Sequence, residues 1–203
     1  MRAIPDEDGR RPSPRVNRPA QPAHRTPPAD DHALLPDAEG AATTVYLGLG
    51  SNLGDRAASI AAAVHALSER RILRHMCVSR VYETEPVAVD AQPLYLNAVV
   101  RGQTLLSAAA LLGDCLTIES GLGRVRPPGQ PKAPRVIDID LLLYGAEIVE
   151  TPRLTVPHPA LLARAFVLIP LAEVAEPGLR HPITGEMLTR AAPCATVRVL
   201  VPP

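Results

Sequence analysis

Tryptophan is absent from the 203 residues and other aromatics are scarce, with one Phe and four Tyr. That argues against single-stranded nucleic-acid surfaces, which hold bases by stacking them on rings. Net charge is missing as well: Lys plus Arg and Asp plus Glu balance at 21 each. No global field then steers the chain toward nucleic acid or an anionic membrane, and any phosphate binding must be local. Cysteine is limited to Cys77, Cys115 and Cys194, far apart and odd in number. Neither a disulfide framework nor a clustered zinc motif follows, and buried thiols acting as small apolar groups suit a reducing compartment. No uninterrupted apolar run approaches the ~18 residues of a membrane span. The opening Met1-Arg2-Ala3-Ile4-Pro5-Asp6-Glu7-Asp8 has no apolar centre for a secretory signal and is too acidic for a typical transit peptide. The expected setting is therefore the cytoplasm, with neither nucleic acid nor membrane as partner.

The length allows one core of ordinary size with a tail. Residues 1–42 hold eight of the 23 prolines, mixed with arginines and seven acids. They show neither helical nor alternating apolar periodicity and read as a disordered extension, leaving 43–203 as a single domain. Val45, Leu47 and Leu49 alternate with Tyr46, Gly48 and Gly50, predicting a strand whose second face is almost bare near its end. Asp55 caps a predicted helix with Ile60, Val64 and Leu67 as its stripe. A second strand is expected within Ile72 to Tyr82, then a loop from Glu83 to Pro93, then a third strand from Leu94 to Arg101. The third strand sets Leu94, Leu96, Ala98 and Val100 opposite Tyr95 and Asn97. A helix follows from about Ser107, with Leu111, Leu112, Cys115 and Ile118 at helical spacing and Gly121 as its cap. The fourth strand begins at Val136.

Strand, helix, strand, strand, helix, strand is the ferredoxin-like order, an antiparallel α+β sheet with both helices on one face. The aliphatic halves of the strands then point toward the helices, and the second face is left for chemistry. On that face the parities gather Gly48, Gly50, Tyr95, Asn97, Asp138 and Asp140. The chain after Tyr144 is expected to form short helices at the end of the sheet, as a C-terminal extension.

Asp138 and Asp140 alternate with Ile137, Ile139 and Leu141, so the two carboxylates project together. An isolated pair of this kind also reads as the solvated face of a strand. Adjacent ionised carboxylates repel, however, and oxygen ligands in this number favour magnesium, completed by water and substrate phosphates. Arg124, Arg126 and Arg135 just upstream, in a loop rich in Pro and Gly, match phosphate oxygens and add weight to the metal. Gly48-Leu49-Gly50-Ser51-Asn52-Leu53 fails the dinucleotide pattern at Leu53, and tight-turn glycines are the simpler account. Glu119 opposes the helix dipole, a small penalty that many surface acids tolerate. His158, between Pro157 and Pro159, is either incidental or a contact for phosphates or an adenine edge.

Taken together, Tyr46 to Asp55, Tyr95-Leu96-Asn97-Ala98, Glu119 with Gly123-Arg124-Val125-Arg126, Ala133 to Leu141, and Leu154 to Pro159 resemble the 6-hydroxymethyl-7,8-dihydropterin pyrophosphokinases of folate synthesis. The likeness runs in order from about residue 45 to 176, and its block from Arg135 to the paired acids is highly specific. It implies pyrophosphate transfer from ATP to the pterin's hydroxymethyl oxygen, releasing AMP. By the same resemblance, Asp138 and Asp140 hold two magnesium ions, Arg124 and Arg135 neutralise charge on the transferred group, and Arg126 assists from the loop. Glu119, Arg153, Thr155, His158 and Arg164 lie around ATP. The pterin meets Asn97 and the Thr84, Pro86 and Val87 loop, between the rings of Tyr95 and Phe166. Two departures stand out: Pro131 and Lys132 occupy the place of an Arg-Trp pair common in the family, and Glu85 replaces a common proline.

The expected protein is thus an ATP- and magnesium-dependent enzyme, acting as a monomer. An RNA-binding ferredoxin-like module is a rival, opposed by paired acids on the open face and by too few stacking rings. A silent pterin-binding scaffold is the other rival, opposed by the intact Asp138, Asp140, Arg124 and Arg135.

Overall fold

The computed structural model describes residues 41–86, 92–126, 133–189 and 197–200. The extension through residue 40, Val87, Pro131, Lys132 and Cys194 lie outside the described residues. The alternating segment forms β1 (Thr43–Ser51), followed by α1 (Arg56–Glu69). Asp55 caps α1, its carboxylate accepting the Ala58 N–H at 3.0 Å, and Ile60, Ala63 and Leu67 are buried. Strands β2 (Arg74–Val78), β3 (Val81–Thr84) and β4 (Tyr95–Thr104) precede α2 (Ala108–Gly121). The Ser107 hydroxyl accepts the Ala110 N–H at 3.3 Å, satisfying one of the orphan donors at that helix start. Beyond lie β5 (Asp138–Tyr144), the small ribbon β6 (Val149–Glu150) with β7 (Thr155–Val156), α3 (Ala165–Val174) and β8 (Val197–Leu200). The main sheet runs β5, β1, β4, β3, β8, with β2 also on β4, and every pairing is antiparallel. The protein is an α+β structure.

Three local expectations need correction. The single strand expected within Ile72 to Tyr82 is two, β2 and β3. Between them the Ser79 hydroxyl, not a backbone carbonyl, accepts the Val99 N–H at 2.9 Å, while the Ser79 N–H reaches the Val99 carbonyl at 2.9 Å. A side chain has entered the ladder and interrupted it. Second, Gly121 is the last helical residue of α2 and not its cap. The left-handed position that glycine accommodates falls at Gly123, φ 90°. Third, the segment after Tyr144 does not stay at the end of the sheet.

Each face of the sheet carries its own core. Under α1 and α2, Val45, Leu47, Leu49, Leu96, Ala98, Val100, Ile139 and Leu141 pack with Leu67, Leu111, Cys115 and Ile118. On the other side Tyr46, Val99, Leu142 and Leu143 pack with Leu161, Val167, Leu171 and Val174, so α3 covers part of the face expected to be open. A register shift between Tyr46 and Leu47 in the β1/β5 pairing accounts for both Leu142 and Leu143 joining this cluster, because a bulge resets side-chain parity. The uncovered remainder of that face lies toward Gly50 and Asp138.

Candidate active site

Strand register builds the floor of the site. Gly50 lies opposite Asn97 on one side and Asp138 on the other, and Gly48 lies opposite Asp140 and Val99. Carboxylate, glycine and carboxamide therefore form one row across three strands, with side chains at its edges and none in the middle. A Cβ at Gly50 would stand 3.4 Å from Asn97 Oδ1, and one at Gly48 3.3 Å from Leu142 Cδ2. Above this floor is a cleft of about 490 Å³, of the size that takes small-molecule substrates. Thr84, Pro86, Tyr95, Asn97, Arg124, Arg126, Arg135, Asp138, Asp140, His158, Arg164 and Phe166, named from the sequence, all line it.

The cleft divides by chemistry. At one end the Asn97 amide donates to Thr84 Oγ1 at 2.8 Å, which fixes the orientation of a buried carboxamide beside the ring of Tyr95. At the other, Asp138 accepts from both Arg124 and Arg135, one guanidinium on each carboxylate oxygen. The Arg135 guanidinium also sits 6.0 Å from the Tyr95 ring centre, and that of Arg164 5.7 Å from the Phe166 ring centre. Burial opposes the Arg135 charge, but Asp138 and Tyr95 outweigh it and hold the guanidinium above its usual range. Burial first, and the Asp138 charge second, push the Asp140 carboxyl up to about 6. Burial and the Arg164 charge both lower His158, favouring its neutral imidazole.

Glu119 is not the surface acid that its helical position suggested. It is 1% exposed and lies beneath the arginines, outside the cleft lining. One oxygen accepts the Ile139 N–H at 2.8 Å and Arg124; the other accepts Arg126 at 2.6 Å. Burial raises its pKa, opposed chiefly by the Ile139 amide and Arg124. Such a carboxylate ties α2 and β5 to both arginines of the following loop. Arg153 and Thr155 are exposed on and beside β7 and do not line the cleft. Sequence reasoning passed over Gln92, which does line it, and Asn52, which is 1% exposed beside it. Neither stands in a periodic segment, so no pattern flagged them.

The paired acids suit a hard cation, since both present oxygen from neighbouring positions of one strand face. Among the described residues no group of three or more His, Cys, Asp or Glu side chains forms a metal cluster. Two carboxylates alone leave most of a magnesium shell to water and to phosphate oxygens of a substrate, the arrangement usual for phosphate chemistry.

A model of the family described as 7,8-dihydro-6-hydroxymethylpterin-pyrophosphokinase matches residues 46–176. A 2-amino-4-hydroxy-6-hydroxymethyldihydropteridine pyrophosphokinase of Methylorubrum extorquens is 47% identical over 133 residues, covering 66% of this chain and 83% of the relative. Its namesake in Bacillus subtilis is 41% identical over 131 residues, covering 64% and 77%. Among solved structures, an HPPK-DHPS crystallised with substrates superposes with a TM-score of 0.57 at 13% identity, over 72% of this chain. The chain spans 42% of that longer protein, and the likeness speaks to the fold alone.

Proposed function

This chain belongs to the 7,8-dihydro-6-hydroxymethylpterin-pyrophosphokinase family, and from that membership we propose that the cleft over Gly48 and Gly50 is its active site. The protein is an ATP-dependent pyrophosphokinase of folate biosynthesis: it moves pyrophosphate from ATP to the hydroxymethyl group of 6-hydroxymethyl-7,8-dihydropterin. The pterin oxygen forms a bond to the β-phosphorus, the bond from that phosphorus to the α,β-bridging oxygen breaks, AMP leaves, and the hydroxyl proton is released. One observation carries the assignment of the site. Asp138, Gly50 and Asn97 form a single row, with two arginines already gathered on Asp138.

Pyrophosphoryl transfer depends on in-line positioning and charge neutralisation more than on covalent help from the protein. Asp138 and Asp140 are the residues that would hold two magnesium ions. When bound, these would offset phosphate charge and lower the pKa of the attacking hydroxyl, so a strong protein base is unnecessary. Arg124 and Arg135, which rest on Asp138 in this structure, would exchange that carboxylate for the oxygens of the transferred group, and Arg126 would reinforce them. Asn97, oriented by Thr84, reads the polar edge of the pterin, with Pro86 and Val87 beside it and the rings of Tyr95 and Phe166 on its faces. His158 and Arg164 meet ATP from within the cleft, while Arg153 and Thr155, outside its lining, are assigned to the nucleotide by the family likeness. Glu119 serves from below by holding Arg124 and Arg126.

The ferredoxin-like reading is supported by the strand order β5, β1, β4, β3 with both long helices on one face, β2 and β3 together filling the place of one strand. Residues 43–203 act as one catalytic domain and as a monomer. The setting is cytoplasmic, in keeping with the absence among the described residues of any helix long and apolar enough to cross a membrane. The test is to mix the protein with magnesium ATP and the hydroxymethyl-dihydropterin and to identify the nucleotide product. AMP with pterin diphosphate is the expected result; ADP alone, or no turnover by a well-folded sample, overturns the assignment.

A further inference from the structure

Asn52 stands one residue past β1, is 1% exposed, and spends its polar groups on two different segments. Its carboxamide oxygen accepts the Arg135 N–H at 2.8 Å, and its own N–H donates to the Arg135 carbonyl at 3.1 Å. The Arg135 backbone is thereby clamped from both sides. Its carboxamide nitrogen donates to Gln92 Oε1 at 3.1 Å, and that oxygen lies 3.4 Å from the Tyr95 hydroxyl, which donates to it. A continuous chain of hydrogen bonds thus runs from the Tyr95 ring, through Gln92 and Asn52, to the backbone of Arg135. The Arg135 side chain then returns toward Tyr95 and Asp138, closing a loop.

We propose that Asn52 is a positioning residue that couples the pterin side of the cleft to the catalytic arginine. This rests on the reading of Arg135 and Tyr95 given above. Asparagine suits the position because one short side chain must offer an acceptor and a donor at once; alanine offers neither. Seating a ring against Tyr95 orders its hydroxyl and Gln92. Through Asn52 that order reaches the residue whose guanidinium must meet the transferring group. An arginine held about 1 Å away from its place can lose on the order of 10²-fold in rate.

The test is a set of double-mutant cycles in full-length protein, using Asn52→Ala, Gln92→Ala and Arg135→Ala, with kcat, KM and melting temperature measured for each. Asn52→Ala is expected to lower kcat by about 10²-fold while KM for ATP stays within about twofold. In the Arg135→Ala background the same change is expected to cost less than about threefold, because the residue through which Asn52 acts is gone. Gln92→Ala should lower kcat less, with the same dependence on Arg135, and its cycle decides the matter if Asn52→Ala does not fold. Losses that multiply independently with Arg135→Ala, or a shifted melting temperature with unchanged kcat, overturn the coupling and leave Asn52 a structural clamp. Near-normal turnover by Arg135→Ala alone overturns the arginine assignment and the coupling with it.

Discussion

The second face of the sheet is one surface with two fates. Toward one end Tyr46, Val99, Leu142 and Leu143 meet α3 in an apolar cluster, of which Val99, Leu142 and Val167 also border the cleft. Further along the same three strands, Gly48, Gly50, Asn97, Asp138 and Asp140 face the cleft. The backbone pairing is continuous between them, since β1 pairs with β4 from Thr43 to Ser51. What changes is the side-chain inventory: large aliphatics give way to hydrogen atoms, an amide and carboxylates. Apolar bulk recruits a helix, and its withdrawal leaves room for a ligand. A sheet can therefore carry half a core and half a site on one side without any break in its hydrogen bonding.

The sharpest way to test this division is to exchange what each half depends on. Asp138→Ala is expected to lower AMP formation by at least about 10³-fold, since a metal ligand serves several kcal/mol of transition-state stabilisation. Far-UV circular dichroism should be unchanged, because the Asp138 side chain lines the cleft and its carboxylate is paired with two arginine side chains there. Near-normal turnover would refute its role. Leu171→Ala is the counterpart on the covered half, where the side chain is 0% exposed. It should cost about 2–5 kcal/mol of unfolding free energy in a denaturant titration, with kcat little changed under native conditions. If the two variants exchanged effects, the division would be wrong.

A pH titration separates the halves more gently. Asp140 is pushed up to about 6, whereas an unfolded aspartate ionises near 3.8, so folding without cations favours its protonated form. This group's contribution to stability is therefore present below the unfolded value and lost as pH rises toward 6. Cations reverse the preference, because a carboxylate must be ionised to bind them. Magnesium affinity measured by calorimetry should fall about tenfold between pH 7 and pH 5, an order of magnitude following from one proton competing at that pKa. An affinity flat across that range would remove Asp140 from the metal site.

How legible these halves were differs in an instructive way. The open half was readable because alternation fixes parity: Tyr95 with Asn97 and Asp138 with Asp140 could each be assigned a face without knowing their partners. The cover was not readable. Ala165 to Val174 is apolar nearly all round and contains Pro170, so it has no stripe to announce which surface it packs against. Glu119 was misjudged for a related reason, since a charge in a last helical turn reads as exposed until the arginines that pair with it are located in space. Ser79 and Asn52 act through side-chain hydrogen bonds to distant backbone groups. Such contacts have no period, and only tertiary structure brings their partners together.

The smallest change probes the boundary itself. Gly50→Ala adds one methyl group at a position whose backbone needs no glycine, because its φ is not among the positive ones. The new Cβ would rest 3.4 Å from Asn97 Oδ1 and 4.0 Å from the Asp138 Cβ, ordinary contact distances. Alanine in a strand also loses less chain entropy on folding than glycine, a gain of about 0.5–1 kcal/mol. The unliganded variant should therefore melt at the same temperature or slightly higher. The methyl group stands in the gap between amide and carboxylate, where the pterin is assigned, and KM for the pterin should rise about tenfold, roughly 1.4 kcal/mol. On the covered half, removing carbon weakens the protein and spares catalysis; on the open half, adding carbon should steady the protein and impair binding. An unchanged pterin KM in Gly50→Ala would mean that the bare centre of the row is not where substrate approaches.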